Sequence, residues 1–203
     1  MCTPFISSSL SLLFFIQALT RSRHPNIARF YGYWINEFTR RDAFFVFEFL
    51  PNGSLFHFLC HDEKRRELNG KKRVKILYEI ARALLFLHKG SITDGNGDKH
   101  SFVHRDIKAA NIYLAADYTA KLMDCGLSKF VQDPEDEESS SSDTCVKFAP
   151  MEEAGTGIIG TLGYICPAYA SRQILIFEPA CDVYSFGVVI FELITGMFIR
   201  TFF

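Results

Sequence analysis

Two short polar segments constrain this chain more than any other part of its sequence. The first reads HRDIKAAN at 104–111, and the second reads DCG at 124–126. Together they hold an acid, a cation and two side chains with the hard oxygen atoms that Mg²⁺ prefers as ligands. Moving a phosphoryl group onto a hydroxyl needs in-line positioning, metal ions that absorb charge, and a base beside the attacking oxygen. The two segments therefore indicate a phosphoryl-transfer site.

Four further segments stand in order around these two. They are HPNIARFYGY at 24–33, FFVFEFLPNGSL at 44–55, GTLGYICP at 160–167 and DVYSFGVVIFELITG at 182–196. HRDIKAAN fits the pattern H-R-D-x-K-x-x-N of the protein-kinase catalytic loop, and DCG stands where that family has D-F-G. Over roughly residues 15–196 the chain resembles a protein kinase domain of the tyrosine-kinase-like group, whose usual activity is on serine and threonine.

The resemblance implies an α+β fold with the two lobes of a protein kinase. Residues 1–50 are expected to be a remnant of the small lobe, with strands at 27–33 and 43–50. The apolar run at 10–19 would be the family's helix αC. Residues 51–203 are expected to be a partial large lobe that stops after the family's central helix, αF.

The residue pattern predicts two helices in the large lobe. One helix, which Gly90 ends, is predicted by apolar positions that recur with the spacing of an amphipathic face, namely Val74, Leu77, Tyr78, Ala81, Leu84, Leu85 and His88. A second helix is predicted from Asp182, as its N-cap, to Thr195, with Gly196 as the C-terminal stop. Because this second helix is apolar nearly all round, we expect it to be buried.

Residues 132–153 are the low-complexity part of the sequence. Acidic residues crowd the first half of this segment, and four serines follow at 139–142. Low hydrophobicity and like charges favour disorder. In the resemblance the segment is an insertion in the activation segment. It is either a solvated insertion without regulatory importance or a loop controlled by phosphorylation.

The resemblance gives each polar residue of the catalytic loop a role. Asp106 would accept the proton of the substrate hydroxyl, and Lys108 would neutralise the transferring phosphate. Asn111 and Asp124 would hold Mg²⁺ through their oxygen atoms. His104 is expected to pack in the core rather than to act as an acid or base.

Three more residues serve the activation segment in the resemblance. Arg105 could pair with a phosphate there. Gly126 allows backbone angles that a side chain would resist. Thr161 would contact the catalytic loop and shape the acceptor site.

The adenine ring of ATP would lie against the segment between the lobes. Backbone groups from Glu48 to Leu50 would hydrogen-bond to it, with the bulky Phe47 at the back of the pocket. Tyr113 stands where the family has an apolar floor under adenine, and its ring would stack on the base or crowd it. Simple strand packing of Tyr113 is an equal alternative. ATP and Mg²⁺ are thus the expected cofactors, and a protein is the expected substrate or partner.

The chain departs from the family pattern at positions that serve the nucleotide and the core. We expect no glycine-rich G-x-G-x-x-G phosphate loop anywhere in the chain. No V-A-I-K-like segment precedes the apolar run at 10–19, and the αC glutamate aligns with Phe15. Cys125 replaces the phenylalanine of D-F-G, and Ala168 replaces the glutamate of A-P-E. In the family the lysine pairs with the αC glutamate, and the A-P-E glutamate pairs with an arginine in the helices after αF. Because both partners of each ion pair are missing here, no uncompensated charge need remain.

Three interpretations follow from these departures. The first is a serine/threonine kinase of which this chain is an incomplete copy, with little or no turnover from these residues alone. The second is a pseudokinase that acts by binding. The third is a gene-model artefact with no cellular role of its own.

Charge and cysteine content limit the other possibilities. The net charge of −1 gives no reason to expect a nucleic-acid partner. The six cysteines have no C-x-x-C spacing, which indicates free thiols in a reducing compartment. The apolar run at 10–19 is too short to span a bilayer and has no preceding basic residue of a signal peptide. We therefore expect a cytoplasmic protein.

Overall fold

The computed structural model describes residues 20, 23–35, 43–90, 92–93, 99–124, 129–131, 158, 160–174 and 177–197. The predictions for the helix at 10–19, for Phe15, Cys125 and Gly126, and for the insertion at 132–153 lie outside these residues. Within them the chain is an α+β protein, in which three small antiparallel β-sheets pack with five helices.

Strands β1 (Phe30–Ile35) and β2 (Ala43–Phe47) form an antiparallel pair. Both predicted strands are confirmed, although β1 begins later than expected. It does so because the preceding N–H of Ala28 donates to Leu122 O at 2.9 Å instead of joining the pair. Phe30 lies opposite Phe47 and packs edge-on against its ring, with 5.4 Å between ring centroids.

Three helices follow the strands: α1 (Leu55–Cys60), α2 (Asp62–Glu67) and α3 (Gly70–His88). The side chains of Ser54 and Asn69 cap α1 and α3 by accepting a backbone N–H three residues further on. Such a cap satisfies one of the N–H groups that a helix start leaves without a partner.

Helix α3 confirms the predicted helix, but the predicted apolar face is wrong, because Val74, Tyr78 and Leu85 are exposed. Its buried face carries Ile76, Ile80, Ala83, Leu84 and Leu87. These side chains pack with those of α1 and of the strands described next to form the main core. Fully burying one large aliphatic side chain stabilises the fold by about 1.5–3 kcal/mol. The site described below therefore rests on this packed core.

The catalytic-loop sequence lies between two short sheets. The strands are β3 (Ile92–Thr93), β4 (Lys99–Val103) and β7 (Lys129–Val131) in one sheet, and β5 (Ile112–Leu114) and β6 (Ala120–Leu122) in a hairpin. Strand β4 leads directly into the loop, and a 3-10 turn over Ala109–Asn111 leads out of it into β5. The loop is thus held at both ends by regular structure.

The last two helices are α4 (Pro167–Ala170) and α5 (Pro179–Thr195). The prediction that Asp182 is the N-cap of α5 is wrong. Glu178 holds the N-cap position with an extended backbone, and proline opens the first turn. Asp182 lies inside that turn, fully buried. Gly196 ends the helix with a φ of 69°, which confirms the predicted stop.

The expectation that this helix is buried all round is also wrong. One face packs against α3 and β4, and the other exposes large apolar side chains, namely Val183, Tyr184, Phe191 and Ile194. Apolar composition alone therefore did not determine burial here. No helix in the described part of the chain combines the length and the apolar character needed to cross a membrane.

Candidate active site

The carboxylate of Asp106 is the centre of the site, and this residue is 8% exposed. Its Oδ2 accepts hydrogen bonds from Lys108 Nζ at 2.6 Å and from Asn111 Nδ2 at 2.9 Å. Its Oδ1 accepts one from Thr161 Oγ1 at 2.6 Å. The structure thus brings together three of the four residues expected to be catalytic, together with Thr161.

Lys108 joins two parts of the chain that are distant in sequence. Its ammonium donates to the Asp106 carboxylate and, at 2.7 Å, to Thr161 Oγ1. Hydrogen bonds in which one or both partners are charged are about twice as strong as neutral ones. The triangle of Asp106, Lys108 and Thr161 therefore fixes the carboxylate against the segment that follows the insertion.

The backbone of the catalytic loop is anchored by Asp182. Its Oδ2 accepts the N–H of His104 at 2.8 Å, and its Oδ1 accepts the N–H of Arg105 at 2.9 Å. His88 Nε2 lies 2.9 Å from the same carboxylate. Arg105 has a φ of 71°, a conformation that non-glycine residues seldom adopt and that this anchor supports. The sequence prediction missed this role, although an acid in the first turn of an apolar helix was a usable signal.

His104 packs in the core, as predicted. Its side chain is fully buried, with Nε2 3.1 Å from Met123 O. Its Nδ1 accepts the backbone N–H of Asp106 at 3.3 Å, so Nε2 is the nitrogen that donates to the carbonyl. The ring orients the residue beside it and does not face the acceptor site.

Asn111 and Asp124 supply oxygen atoms at the end of the hairpin. The N–H of Met123 donates to Asn111 O at 2.8 Å, which brings the next residue, Asp124, beside the loop. The Asn111 amide nitrogen donates to Asp106 O at 2.8 Å and to Asp106 Oδ2 at 2.9 Å, so the amide oxygen is the atom suited to a metal. An amide oxygen and a carboxylate fit Mg²⁺, which keeps several waters and takes few protein ligands.

The expected adenine segment is tied to the hairpin by an ion pair. Lys121 Nζ lies 2.7 Å from both carboxylate oxygens of Glu48, and both side chains are largely buried. Glu48 Oε1 also accepts the N–H of Arg29 at 2.7 Å. The Glu48 carboxylate thus joins its own segment to those of Arg29 and Lys121. The sequence prediction did not include Lys121. Leu50 is buried, and its carbonyl accepts the N–H of Gly53 at 3.1 Å.

Tyr113 lies on β5, directly opposite Lys121 of β6. Its side chain is half-buried, whereas those of Ile112 and Leu114 on either side point into the core. The ring therefore lies on the same face of the hairpin as the ion pair. This placement puts Tyr113 on the side of the adenine segment and leaves its contact with a nucleotide as a prediction.

The segment after Thr161 forms a buried wall against α5. The hydroxyl of Tyr164 donates to Glu192 Oε1 at 2.8 Å, and Ser185 Oγ donates to Tyr164 O at 2.6 Å. Burial raises the pKa of Tyr164, and the adjacent Glu192 carboxylate raises it further. The phenol is therefore a neutral hydrogen-bond donor at physiological pH.

The expectation that the chain has no G-x-G-x-x-G pattern is wrong as to the letters, which occur at 155–160, within the activation segment rather than before the first strand. Of the three glycines, Gly160 belongs to the described residues. It has a φ of 123°, and a Cβ there would lie 3.2 Å from Arg105 O. This glycine lets the chain pass close to the catalytic loop, which is a different task from covering phosphates.

A shallow pocket lies beside Asp106. Thr161, Ile165 and Phe177 line its wall. The guanidinium carbon of Arg105 lies 6.0 Å from the centre of the Phe177 ring, within range of a cation–π contact. The pocket provides an apolar surface next to the carboxylate.

The fold and the carboxylate-centred loop define a protein kinase domain. The sequence model of the protein tyrosine and serine/threonine kinase family matches residues 7–198. The chain belongs to the protein kinase family.

Several of its relatives are named as receptor or receptor-like kinases of plants. It is 35% identical over 181 residues to a probable leucine-rich repeat receptor-like protein kinase of Arabidopsis thaliana, covering 89% of this chain and 14% of the relative. It is 35% identical to chitin elicitor receptor kinase 1 of Physcomitrium patens, covering 89% of this chain and 24% of that protein. A G-type lectin S-receptor-like serine/threonine-protein kinase of Arabidopsis thaliana is 33% identical, with coverages of 89% and 18%. The chain thus spans less than a quarter of the length of each of these three relatives.

Proposed function

We propose that this chain carries the acceptor and metal side of a serine/threonine protein kinase, which transfers the γ-phosphate of ATP to a hydroxyl of a protein substrate. The observation that carries the proposal is the Asp106 carboxylate, held by Lys108, Asn111 and Thr161. A carboxylate fixed by three hydrogen-bond donors suits a base that orients an attacking hydroxyl.

Each residue around the carboxylate has a distinct task in this proposal. Asp106 accepts the hydroxyl proton and aligns the oxygen. Lys108 supplies positive charge beside the phosphate as its negative charge shifts. Thr161 shares hydrogen bonds with both, so it fixes their spacing and holds the acceptor segment against the loop.

The cofactors in this proposal are ATP and Mg²⁺. Asn111 and Asp124 would hold the metal, and the backbone from Glu48 to Leu50 would hold adenine, with Tyr113 at the edge of the base. Mg²⁺ neutralises charge on the transferring phosphates when it is bound. The Lys121–Glu48 ion pair keeps the adenine segment close to the hairpin that ends at Asp124.

The substrate class is a protein with an exposed serine or threonine. The lysine two residues after Asp106 resembles serine/threonine-type catalytic loops, and one relative is named a serine/threonine-protein kinase. We also propose a cytoplasmic location, because the described cysteines Cys60, Cys166 and Cys181 are free thiols.

The test uses a protein to which the parts of a kinase that bind the nucleotide phosphates have been added. This sequence does not show those parts before its first strand. In a chimera, residues 1–22 are replaced by a small-lobe segment that carries a glycine-rich loop, the V-A-I-K-like lysine and the αC glutamate. We expect the chimera with Mg²⁺ and ATP to label serine or threonine in a peptide pool, as measured by phosphoamino-acid analysis. The 203-residue chain alone should show little or no labelling.

Nucleotide binding is the control for folding of the chimera. ATP should raise its melting temperature more with Mg²⁺ than without, and Asp124→Asn should remove the Mg²⁺-dependent part. A chimera that binds Mg²⁺ and ATP yet transfers no phosphate would favour a pseudokinase. Labelling of tyrosine alone would contradict the proposed substrate class.

A further inference from the structure

Two cysteine side chains share one apolar cluster beside the acceptor site. Cys166 directly precedes α4, and Cys181 lies in the first turn of α5. Both are free thiols, and Cys166 packs against the cluster that contains Cys181. Cys181 is fully buried, whereas Cys166 is partly exposed. The pair therefore has one thiol open to solvent reagents and one shielded thiol against it.

The surroundings of the pair are apolar. Cys181 belongs to a small core cluster with Val103, Tyr169 and Phe177, and Cys166 packs against that cluster. Burial raises the pKa of the Cys181 thiol to about 11. Such a thiol reacts slowly with oxidants by itself, because the thiolate is the nucleophile.

We propose that Cys166 and Cys181 are a redox modification site, which closes to a disulfide when a hydroperoxide oxidises Cys166. The thiolate sulfur of Cys166 attacks the O–O bond of the hydroperoxide, forms an S–O bond and releases an alkoxide or hydroxide. The Cys181 sulfur then displaces the sulfenic hydroxyl, which leaves as water with the Cys181 proton. Two thiols lose two electrons in total, and one hydroperoxide gains them.

The crosslink would join two parts of the chain that position the catalytic loop. Cys166 follows Thr161 in the same segment, and Thr161 bonds to Asp106. Cys181 precedes Asp182, which accepts the N–H groups of His104 and Arg105. A disulfide here closes a loop of about 15 residues, and this constraint on the unfolded chain stabilises the folded state.

Reversible formation of this disulfide agrees with the other properties of these cysteines. Disulfides in reducing compartments are usually transient or redox-sensing rather than structural. The raised pKa of Cys181 also makes the second step slow at neutral pH and faster as pH rises. Closure should therefore require sustained oxidant rather than air alone.

The test uses the full chain and mass spectrometry. The reduced protein is treated with hydrogen peroxide, its remaining thiols are blocked with N-ethylmaleimide, and it is digested with trypsin without reduction. Because Arg172 lies between the two cysteines, trypsin gives two peptides that only the disulfide holds together. We expect this linked pair, its loss on adding dithiothreitol, faster formation at higher pH, and a higher melting temperature of the oxidised chain.

Matched variants separate the pair from other thiols. Cys60→Ser removes an exposed thiol of α1 and should leave the linked peptides unchanged. Cys166→Ser, which alters the partly exposed partner, and Cys181→Ala should abolish both the link and the shift in melting temperature. The proposal is overturned if both cysteines are alkylated after peroxide treatment, or if the link forms only in urea. It is also overturned if Cys166 ends as a sulfinic acid without a link.

Discussion

The carboxylate of Asp182 accepts the backbone N–H of His104 at 2.8 Å, across 78 residues of sequence. The same carboxylate accepts the N–H of Arg105, and His88 lies beside it. A buried acid is tolerated in an apolar helix only when donors of this kind surround it. The catalytic loop is therefore held in place by the helix beneath it, through its backbone rather than through its side chains.

Removing this anchor should destabilise the chain strongly. Asp182→Ala leaves two buried N–H groups without their acceptor, and each such loss costs about 1–3 kcal/mol. We expect a fall of about 3 kcal/mol in the free energy of unfolding, measured by urea denaturation. Val183→Ala changes the exposed neighbour and should stay within about 0.5 kcal/mol. Equal effects of the two substitutions would contradict the anchoring role.

The ion pair between Glu48 and Lys121 should contribute more than an exposed pair. Lys121→Met should reduce the free energy of unfolding by about 1.5–3 kcal/mol, since a largely buried carboxylate loses a charged donor. Lys64→Met removes the partner of Glu67 from an ion pair whose two side chains are 42% and 37% exposed. That control should cost clearly less than Lys121→Met. A smaller loss for Lys121→Met than for Lys64→Met would show that the buried pair is not a structural tie.

Stability should fall under mildly acidic conditions because of His24. Burial lowers the pKa of His24, and the Arg82 guanidinium lowers it further. In the unfolded chain a histidine titrates near pH 6.5, so the unfolded state takes up the proton first as pH falls. The stability that the neutral ring provides is present above about pH 6.5 and is lost below it. His24→Gln should flatten the dependence of the urea midpoint on pH between about 7.5 and 5.5, and an unchanged slope would contradict this.

The buried phenol of Tyr164 should make the stability of the fold depend on pH a second time, in the alkaline range. Because its pKa is raised, the unfolded chain loses the phenol proton first, and stability falls as pH rises above about 10. Tyr164→Phe should remove that part of the loss. At neutral pH it should also cost about 1–3 kcal/mol, because Glu192 Oε1 loses a buried donor. Tyr184→Phe, at an exposed position of α5, is the matched control and should change neither quantity.

Local sequence patterns predicted the secondary-structure elements well, but they did not predict contacts between residues that are distant in sequence. The spacing of apolar residues after Val74 predicted the helix α3 but assigned the wrong face to the core, because this helix carries apolar residues on more than one side. The buried acid at Asp182 resembled an N-cap, because its true partners lie on a loop far away in the sequence. The pairing of Lys121 with Glu48 was equally non-local. The G-x-G-x-x-G letters at 155–160 are a local pattern without its usual function. Gly160 allows a close approach to the backbone of the catalytic loop and does not form a phosphate loop.

The most direct measurement is the rate of γ-phosphate transfer by the chimera with and without the Asp106→Asn substitution. The amide keeps the size of the side chain but cannot accept the hydroxyl proton as a base does. A general base typically contributes about 10²–10⁴-fold, so the rate should fall by at least about 100-fold. Binding of Mg²⁺ and ATP should stay the same. A fall of less than about threefold would contradict the role of Asp106 as the base of an acceptor site.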